Sequence, residues 1–292
     1  MHIPVLLDET IAALDPKPND NFIDGTFGWG GHSLAILAKT APRGMILGIE
    51  QDKESLAALP ARIKENSRLV LENGNYADIA AIVQKHKFSN IAGVLLDLGM
   101  SSWHVDESGK GFSFSKDESL KMRYDSDIPI DAADIVNDYP VGELEKIFTN
   151  YGQEKFSKRI AAVIEKERCR RRIESTGQLA ELIRAAVPPP QKISAAARIF
   201  QALRIAVNRE FENIKHGIAG GFEILRPGGR MAAITFHSGE DKIVKNEFRA
   251  LVDSCRAELI FKKPIACGLE EARRNPRARS AKLRVIEKLK LS

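Results

Sequence analysis

Hydrophobic positions in the first hundred residues fall into two alternating patterns. Short apolar runs at Asn21–Thr26 (NFIDGT), Met45–Glu50 (MILGIE), Arg68–Glu72 and Ile91–Leu98 (IAGVLLDL) predict strands. Between them, His32–Lys39, Lys53–Glu65 and Ala77–His86 predict helices. Strands with so few polar positions are buried on both faces, as in a parallel sheet covered by helices. The alternation is the front half of a doubly wound α/β fold.

The rhythm then stops. Residues 107–203 contain no convincing strand, and apolar residues recur at helical spacing, as in Phe156, Ile160, Val163 and Ile164, and in Leu179, Leu182 and Ile183. Ser175–Thr176 offers a helix N-cap, and Pro188–Pro190 stops that helix. The expected organisation is a core of residues 1–106 and 204–292 with an inserted all-helical domain at 107–203. In the returning core, Phe200, Leu203, Val207, Phe211 and Ile214 mark one long helix. Pro227–Gly229 is a turn into strand Arg230–Phe236, and a helix follows over Glu240–Leu251. Two late runs, Glu258–Lys263 and Lys282–Lys288, have no helix between them and suggest an antiparallel hairpin. That ending resembles the sheet of S-adenosylmethionine-dependent methyltransferases, a Rossmann-like sheet whose last strand inserts antiparallel.

Composition narrows the class. The chain has 292 residues, 43% of them hydrophobic, enough for a substantial core. No apolar run approaches the ~18 residues of a membrane span. The opening MHIPVLLDETIAAL carries acids where a signal peptide carries bases, so a soluble cytoplasmic protein is expected. The three cysteines, Cys169, Cys255 and Cys267, form no C-x-x-C pair, and neither a disulfide framework nor a metal-ligand pattern is expected. Net charge is +5 but unevenly spread: residues 153–173 and 270–292 each carry eight Lys/Arg against three Glu. Such clusters attract a polyanion, or are simply solvated faces.

The strongest local signal is Asp24-Gly25-Thr26-Phe27-Gly28-Trp29-Gly30-Gly31-His32, between a strand and a helix. Glycines let the backbone turn tightly and approach a ligand, and a helix N-terminus offers free N–H groups. Glu50 ends the next strand, where a carboxylate accepts hydrogen bonds from an adenosine ribose or is merely a surface acid. Tyr76 follows the third strand and suits adenine stacking or a helix start equally. The spacing Gly28-x-Gly30-Gly31 lacks the third glycine of the dinucleotide fingerprint, and no second mononucleotide half is evident, which favours adenosylmethionine over a nicotinamide cofactor. Asp97 ends the fourth strand and His237 the fifth, on the edge where open α/β sheets bind ligands.

Several segments together resemble one family. They are His2–Leu7 with Glu9, Asp24–Ser33, Asp97–Ser102, Gly109–Phe114 and Met122–Arg123 with Asp125. Further on come Tyr151–Gly152 with Glu154, Phe200–Asn208, Phe236–Asp241 and Asn275–Ser280. In this order they are similar to the 16S ribosomal RNA cytidine N4-methyltransferases, the RsmH (MraW) family. The resemblance implies adenosylmethionine contacts at Gly30, Gly31, His32, Glu50, Tyr76, Asp97 and His104, and a target near the decoding centre. Four positions depart from the usual pattern: Glu50 for Asp, His104 for Gln, Trp103 for Pro and Gly239 for Leu.

Methylating a cytosine amine requires an acceptor for one N–H, and Asp97 is the catalytic candidate. Candidate RNA contacts are Arg123, Lys155, Lys158, Arg159, Arg170, Arg171, Arg172, His237, Arg277 and Arg279, with the helical insert as the substrate-recognition domain. The expected partner is 16S rRNA within the small ribosomal subunit, with a homodimer also open. The alternatives are a nicotinamide-dependent oxidoreductase, a non-catalytic RNA-binding protein, and a methyltransferase acting on DNA or protein.

Overall fold

The computed structural model describes residues 4–290; residues 1–3 and 291–292, and with them His2 and Ile3 of the HIPVLLDE segment, lie outside the described residues. The chain divides into two compact units, 1–99 with 211–292, and 100–210. The sequence pattern places these edges slightly differently, at 106/107 and 203/204.

In chain order the elements begin with α1 (Leu7–Leu14), β1 (Asn21–Asp24), α2 (Gly31–Lys39), β2 (Ile46–Glu50), α3 (Lys53–Ala58), α4 (Ala61–Lys64), β3 (Leu69–Asn73), α5 (Ile79–Lys85) and β4 (Ile91–Asp97). A helical stretch follows: α6 (Ser102–Asp106), α7 (Ala132–Asp138), α8 (Val141–Asn150), α9 (Ser157–Arg168), α10 (Thr176–Ala186) and α11 (Lys192–Asn208). The chain closes with α12 (Glu210–Ile224), β5 (Leu225–Thr235), α13 (Ser238–Asp253), β6 (Ala257–Leu259), β7 (Ile265–Ala266), α14 (Leu269–Arg274) and β8 (Lys282–Lys288).

In the α/β unit the strands lie in the order β3-β2-β1-β4-β5-β8-β6, with β7 also on β8. The first five are parallel, and β8 runs antiparallel to β5, β6 and β7. This is the expected Rossmann-like methyltransferase sheet. Side chains alternate between two cores because a strand has a period of two. Phe22, Ile46 and Leu95 face one core, and Ile23, Leu47, Val94 and Leu96 the other. The order reverses between β1 and β4, which places the topological switch point, where such sheets bind ligands, at the ends of those two strands.

The structure corrects four sequence expectations. The helix expected over Lys53–Glu65 is two, because Pro60 forces Leu59 out of the helical region. The long helix through Phe200–Ile214 breaks at Arg209, which takes a left-handed φ of 52°. Pro227–Gly229 lies within β5 rather than before it; Gly228 has φ 75°, and the pairing jumps from Ile91–Leu225 to Gly93–Arg230, as in a bulge. The late strands are antiparallel but do not form a simple hairpin, since β7 and α14 lie between them.

The helical unit, 100–210, encloses its own core, with Leu144, Phe148, Ile160, Ile164, Leu179, Ile183 and Leu203 fully buried. α10 begins at the expected cap, where Ser175 and Gln178 form a reciprocal capping box. Buried polar groups tie its segments to α11. Asn208 accepts from the Tyr124 N–H and donates to the Met122 carbonyl, both at hydrogen-bond distance (2.9 and 2.8 Å). Arg204 makes a bidentate, buried pair with Glu210 (2.8 and 3.0 Å). Glu154 accepts from Arg198 at 2.8 Å.

Candidate functional site

The turn after β1 is built by side chains that hold its backbone. Asp24 accepts from the Ser33 hydroxyl (2.7 Å) and the Thr26 N–H (3.2 Å). The Thr26 hydroxyl in turn accepts the Asp97 N–H (2.6 Å), which fastens β1 to the end of β4. Gly28 and Gly30 take left-handed φ values of 53° and 72°. At Gly30 a side chain is also excluded sterically, because a Cβ there would lie 2.6 Å from the Phe27 ring. Gly30 leads directly into α2 and, without a side chain, makes no side-chain cap to it.

Glu50, at the end of β2, reaches back across this turn. One carboxylate oxygen accepts the Gly28 N–H and the other the Asp52 N–H, both at 2.9 Å. Glu50 thus helps to close the glycine turn. Tyr76 opens a short 3-10 turn, and its ring fills the space a side chain at position 217 of α12 would need.

Asp97 is the least satisfied group of the site. Its Oδ1 is buried with no hydrogen-bond partner, although 19% of the side chain remains exposed. Oδ2 lies 3.6 Å from His32 Nδ1. The other His32 nitrogen, Nε2, is 3.0 Å from the Val5 carbonyl, which can only accept, so that nitrogen carries a proton. Burial pushes the Asp97 carboxyl well above the ordinary carboxylate range, and the like charges of Asp24 and Glu240 add to it. Asp24 is itself raised to about 6, by burial opposed by its hydrogen bonds from Ser33 and Thr26. The carboxyl edge of β1 and β4 is thus short of positive charge.

Gly30, Gly31, His32, Glu50, Tyr76 and Asp97 all lie in the α/β unit: Glu50 and Asp97 end β2 and β4, and the others lie on the segments that follow β1 and β3. His104 belongs to the helical unit, where it is buried and its Nδ1 lies 2.9 Å from the Ser101 hydroxyl. His237, at the end of β5, caps α13: its Nδ1 accepts the Glu240 N–H, while Glu240 accepts the Phe236 and His237 N–H groups. The residues that sequence reasoning missed are Thr26, Ser33 and Glu240. Short polar residues flanking a glycine turn were the available signal for the first two.

The basic candidates divide by what they already bind. Lys155, Lys158, Arg159 and Arg170 are exposed on the helical unit. Arg171 pairs with Glu167, and Arg172 with Asp134 and Asp138. Arg123 donates to the Ile128 carbonyl and Arg279 to the Ala272 carbonyl, so both brace their own loops. Arg277 is half-buried in the short turn after Asn275. Among the described residues, no helix is long and apolar enough to cross a membrane.

Residues 1–289 match the family described as MraW methylase. The ribosomal RNA small subunit methyltransferase H of Syntrophotalea carbinolica is 41% identical, covering 99% of this chain and 98% of its own. That of Heliobacterium mobile is 40% identical over 99% of both. Among solved structures, an rRNA methylase from Streptococcus thermophilus matches at 10% identity over 99% of both chains, with a TM-score of 0.45.

Proposed function

The chain belongs to the MraW methylase family, and from that premise we propose that it methylates the N4 amine of a cytidine in 16S ribosomal RNA, near the decoding centre, using S-adenosylmethionine. Its relatives at about 40% identity carry the name of small-subunit ribosomal RNA methyltransferases, which supports the RNA substrate. The choice of base and its location rest on the family resemblance.

The observation that carries the cofactor is the buried, unpartnered Asp97 Oδ1 beside a glycine turn and two further acids. Buried carboxyls whose ionised form a nearby cation favours suit a cationic sulfonium and disfavour the pyrophosphate of a nicotinamide cofactor. When bound, adenosylmethionine supplies an electrophilic methyl group on that sulfonium. Gly30 and Gly31 let the backbone approach it, Glu50 at the end of β2 accepts ribose hydroxyls, and Tyr76 offers a face to adenine. His32 holds Asp97 from one side.

Cytosine N4 is a weak nucleophile because its lone pair is delocalised into the ring. Asp97 answers both needs of the reaction. A neighbouring cation favours its ionised form. The carboxylate then accepts one N–H of the amine, localising the lone pair and holding the amine for in-line attack. The base has to leave its stack to reach this edge, and the helical unit, with Lys155, Lys158, Arg159 and Arg170, holds the surrounding RNA by its phosphates. Deleting the gene and analysing small-subunit rRNA nucleosides by mass spectrometry tests the reading. One N4-methylated cytidine should disappear and return on complementation; an unchanged nucleoside profile contradicts it.

A further inference from the structure

The helical unit contains an aromatic cluster that does not end in its core. His104 is packed edge-on by three rings: Tyr124 at 4.8 Å, Phe112 at 5.3 Å and Trp103 at 5.3 Å between centroids. Phe112 and Tyr124 stack on each other at 5.0 Å. Phe112, Tyr124 and His104 are buried. Trp103 is only half-buried, and it is absent from the residues packed against each of the three hydrophobic cores. A half-buried indole on a rigid base is a surface on which a planar ring can stack.

The backbone around it is firmly held. The Trp103 carbonyl accepts the N–H groups of both Glu107 and Ser108 (2.9 Å each). The Ser108 hydroxyl donates to the His104 carbonyl at 2.7 Å and accepts the Lys110 N–H at 3.3 Å. The Lys110 carbonyl accepts from Met122 at 2.7 Å. Lys110 stands between two left-handed glycines, Gly109 (φ 64°) and Gly111 (φ 77°), and its ammonium lies 5.5 Å from the centre of the Trp103 ring. The loop therefore presents a fixed indole with a cation over its face.

Resting on the reading of the chain as an RNA methyltransferase, we infer that Trp103 is a stacking platform for an unpaired nucleobase of the substrate RNA, with Lys110 taking the adjoining phosphate. An exposed cation–π contact is weaker than the stacking of a base on an indole, so an arriving base displaces the lysine from the ring. Lys110, anchored at its backbone, then turns its charge to the strand. The same chemistry explains why an aromatic is useful here: every base has a π face, so the platform grips a splayed strand without reading its sequence. Trp103 acts as a positioning residue for the RNA, not a catalytic one.

The test uses the full chain labelled with 5-fluorotryptophan, whose two resonances are assigned by Trp103→Phe. Adding an unpaired RNA oligonucleotide should shift the Trp103 signal. Trp103→Leu, which keeps apolar bulk but loses the π face, should raise KM for RNA roughly 5- to 150-fold with kcat nearly unchanged. Trp103→Phe should restore most of that loss. Lys110→Ala should lower the slope of log affinity against log salt by about one. Binding of S-adenosylhomocysteine should be unaffected in all three variants. If RNA is methylated normally by Trp103→Leu while the Trp103 resonance stays still, the platform is refuted and the function above stands. If the unaltered chain binds no RNA at all, the function reading falls and takes the platform with it.

Discussion

The two units invest polar chemistry in opposite ways. In the α/β unit the polar groups that matter are buried and hold one another: Asp24 takes Ser33 and Thr26, Thr26 takes Asp97, and Glu50 takes Gly28. In the helical unit the buried polar groups, Arg204 with Glu210 and Asn208 with Met122 and Tyr124, fasten segments, while Lys155, Lys158 and Arg159 stand in water. Buried acids fix geometry and tune protonation. Exposed cations attract a polyanion without fixing where it lies. On the proposed function, chemistry belongs to the first unit and grip to the second.

The largest expected effect breaks the helical side. Arg204→Ala removes the bidentate partner of the buried Glu210, which costs about 3–5 kcal/mol. Thermal unfolding should register that loss, while affinity for S-adenosylhomocysteine at low temperature should fall far less. An equal loss of cofactor affinity would erase the contrast. Next is Asp97→Asn, which should keep S-adenosylhomocysteine and RNA binding within a few-fold and cut single-turnover methyl transfer by about a hundredfold or more. Wild-type turnover in that variant removes Asp97 as the amine acceptor.

A smaller effect follows from pH. The folded-state pKa of Asp24 is raised from 3.8 to about 6, so the native chain holds a proton there that the unfolded chain has already released. Its contribution to stability is fully present below the lower value and is lost as pH rises through the upper one. Between those values the loss is about 2–3 kcal/mol. Denaturant midpoints of the wild type and Asp24→Asn should diverge across that window; parallel curves would show that Asp24 ionises as freely as an exposed acid. Smallest of all, Lys155→Ala, Lys158→Ala and Arg159→Ala should each weaken RNA binding modestly and lower its salt slope by about one, with cofactor affinity unchanged. An unaltered slope means that cation faces solvent in the complex.

Much of this was legible in the sequence where backbone geometry leaves a mark. Apolar runs located β1, β2, β4 and β8, and the Gly28-x-Gly30-Gly31 spacing marked a turn whose positive φ values only glycine adopts easily. Ser175 announced the start of α10 because capping is local chemistry. The break at Arg209 left no such mark, since a non-glycine left-handed residue is imposed by tertiary packing. The Leu59–Pro60 break was visible in principle, as a residue before proline avoids the helical region. Long-range contacts stayed hidden. Nothing in the spacing of Thr26 and Asp97 shows that one bonds the other, or that Glu50 closes the glycine turn. The aromatic cluster around His104 likewise brings together residues from three separate segments.

On the proposed function, the ends of β1, β2 and β4 form an adenosyl-binding edge whose acids favour a cation. Isothermal titration of the purified chain with adenosylmethionine, repeated in buffers of different ionisation enthalpy, examines it most directly. The titration should show one saturable site, a net release of protons as Asp97 ionises, smaller release with the uncharged S-adenosylhomocysteine, and strong weakening of both by Glu50→Ala. No heat with either ligand, with and without RNA, would contradict it.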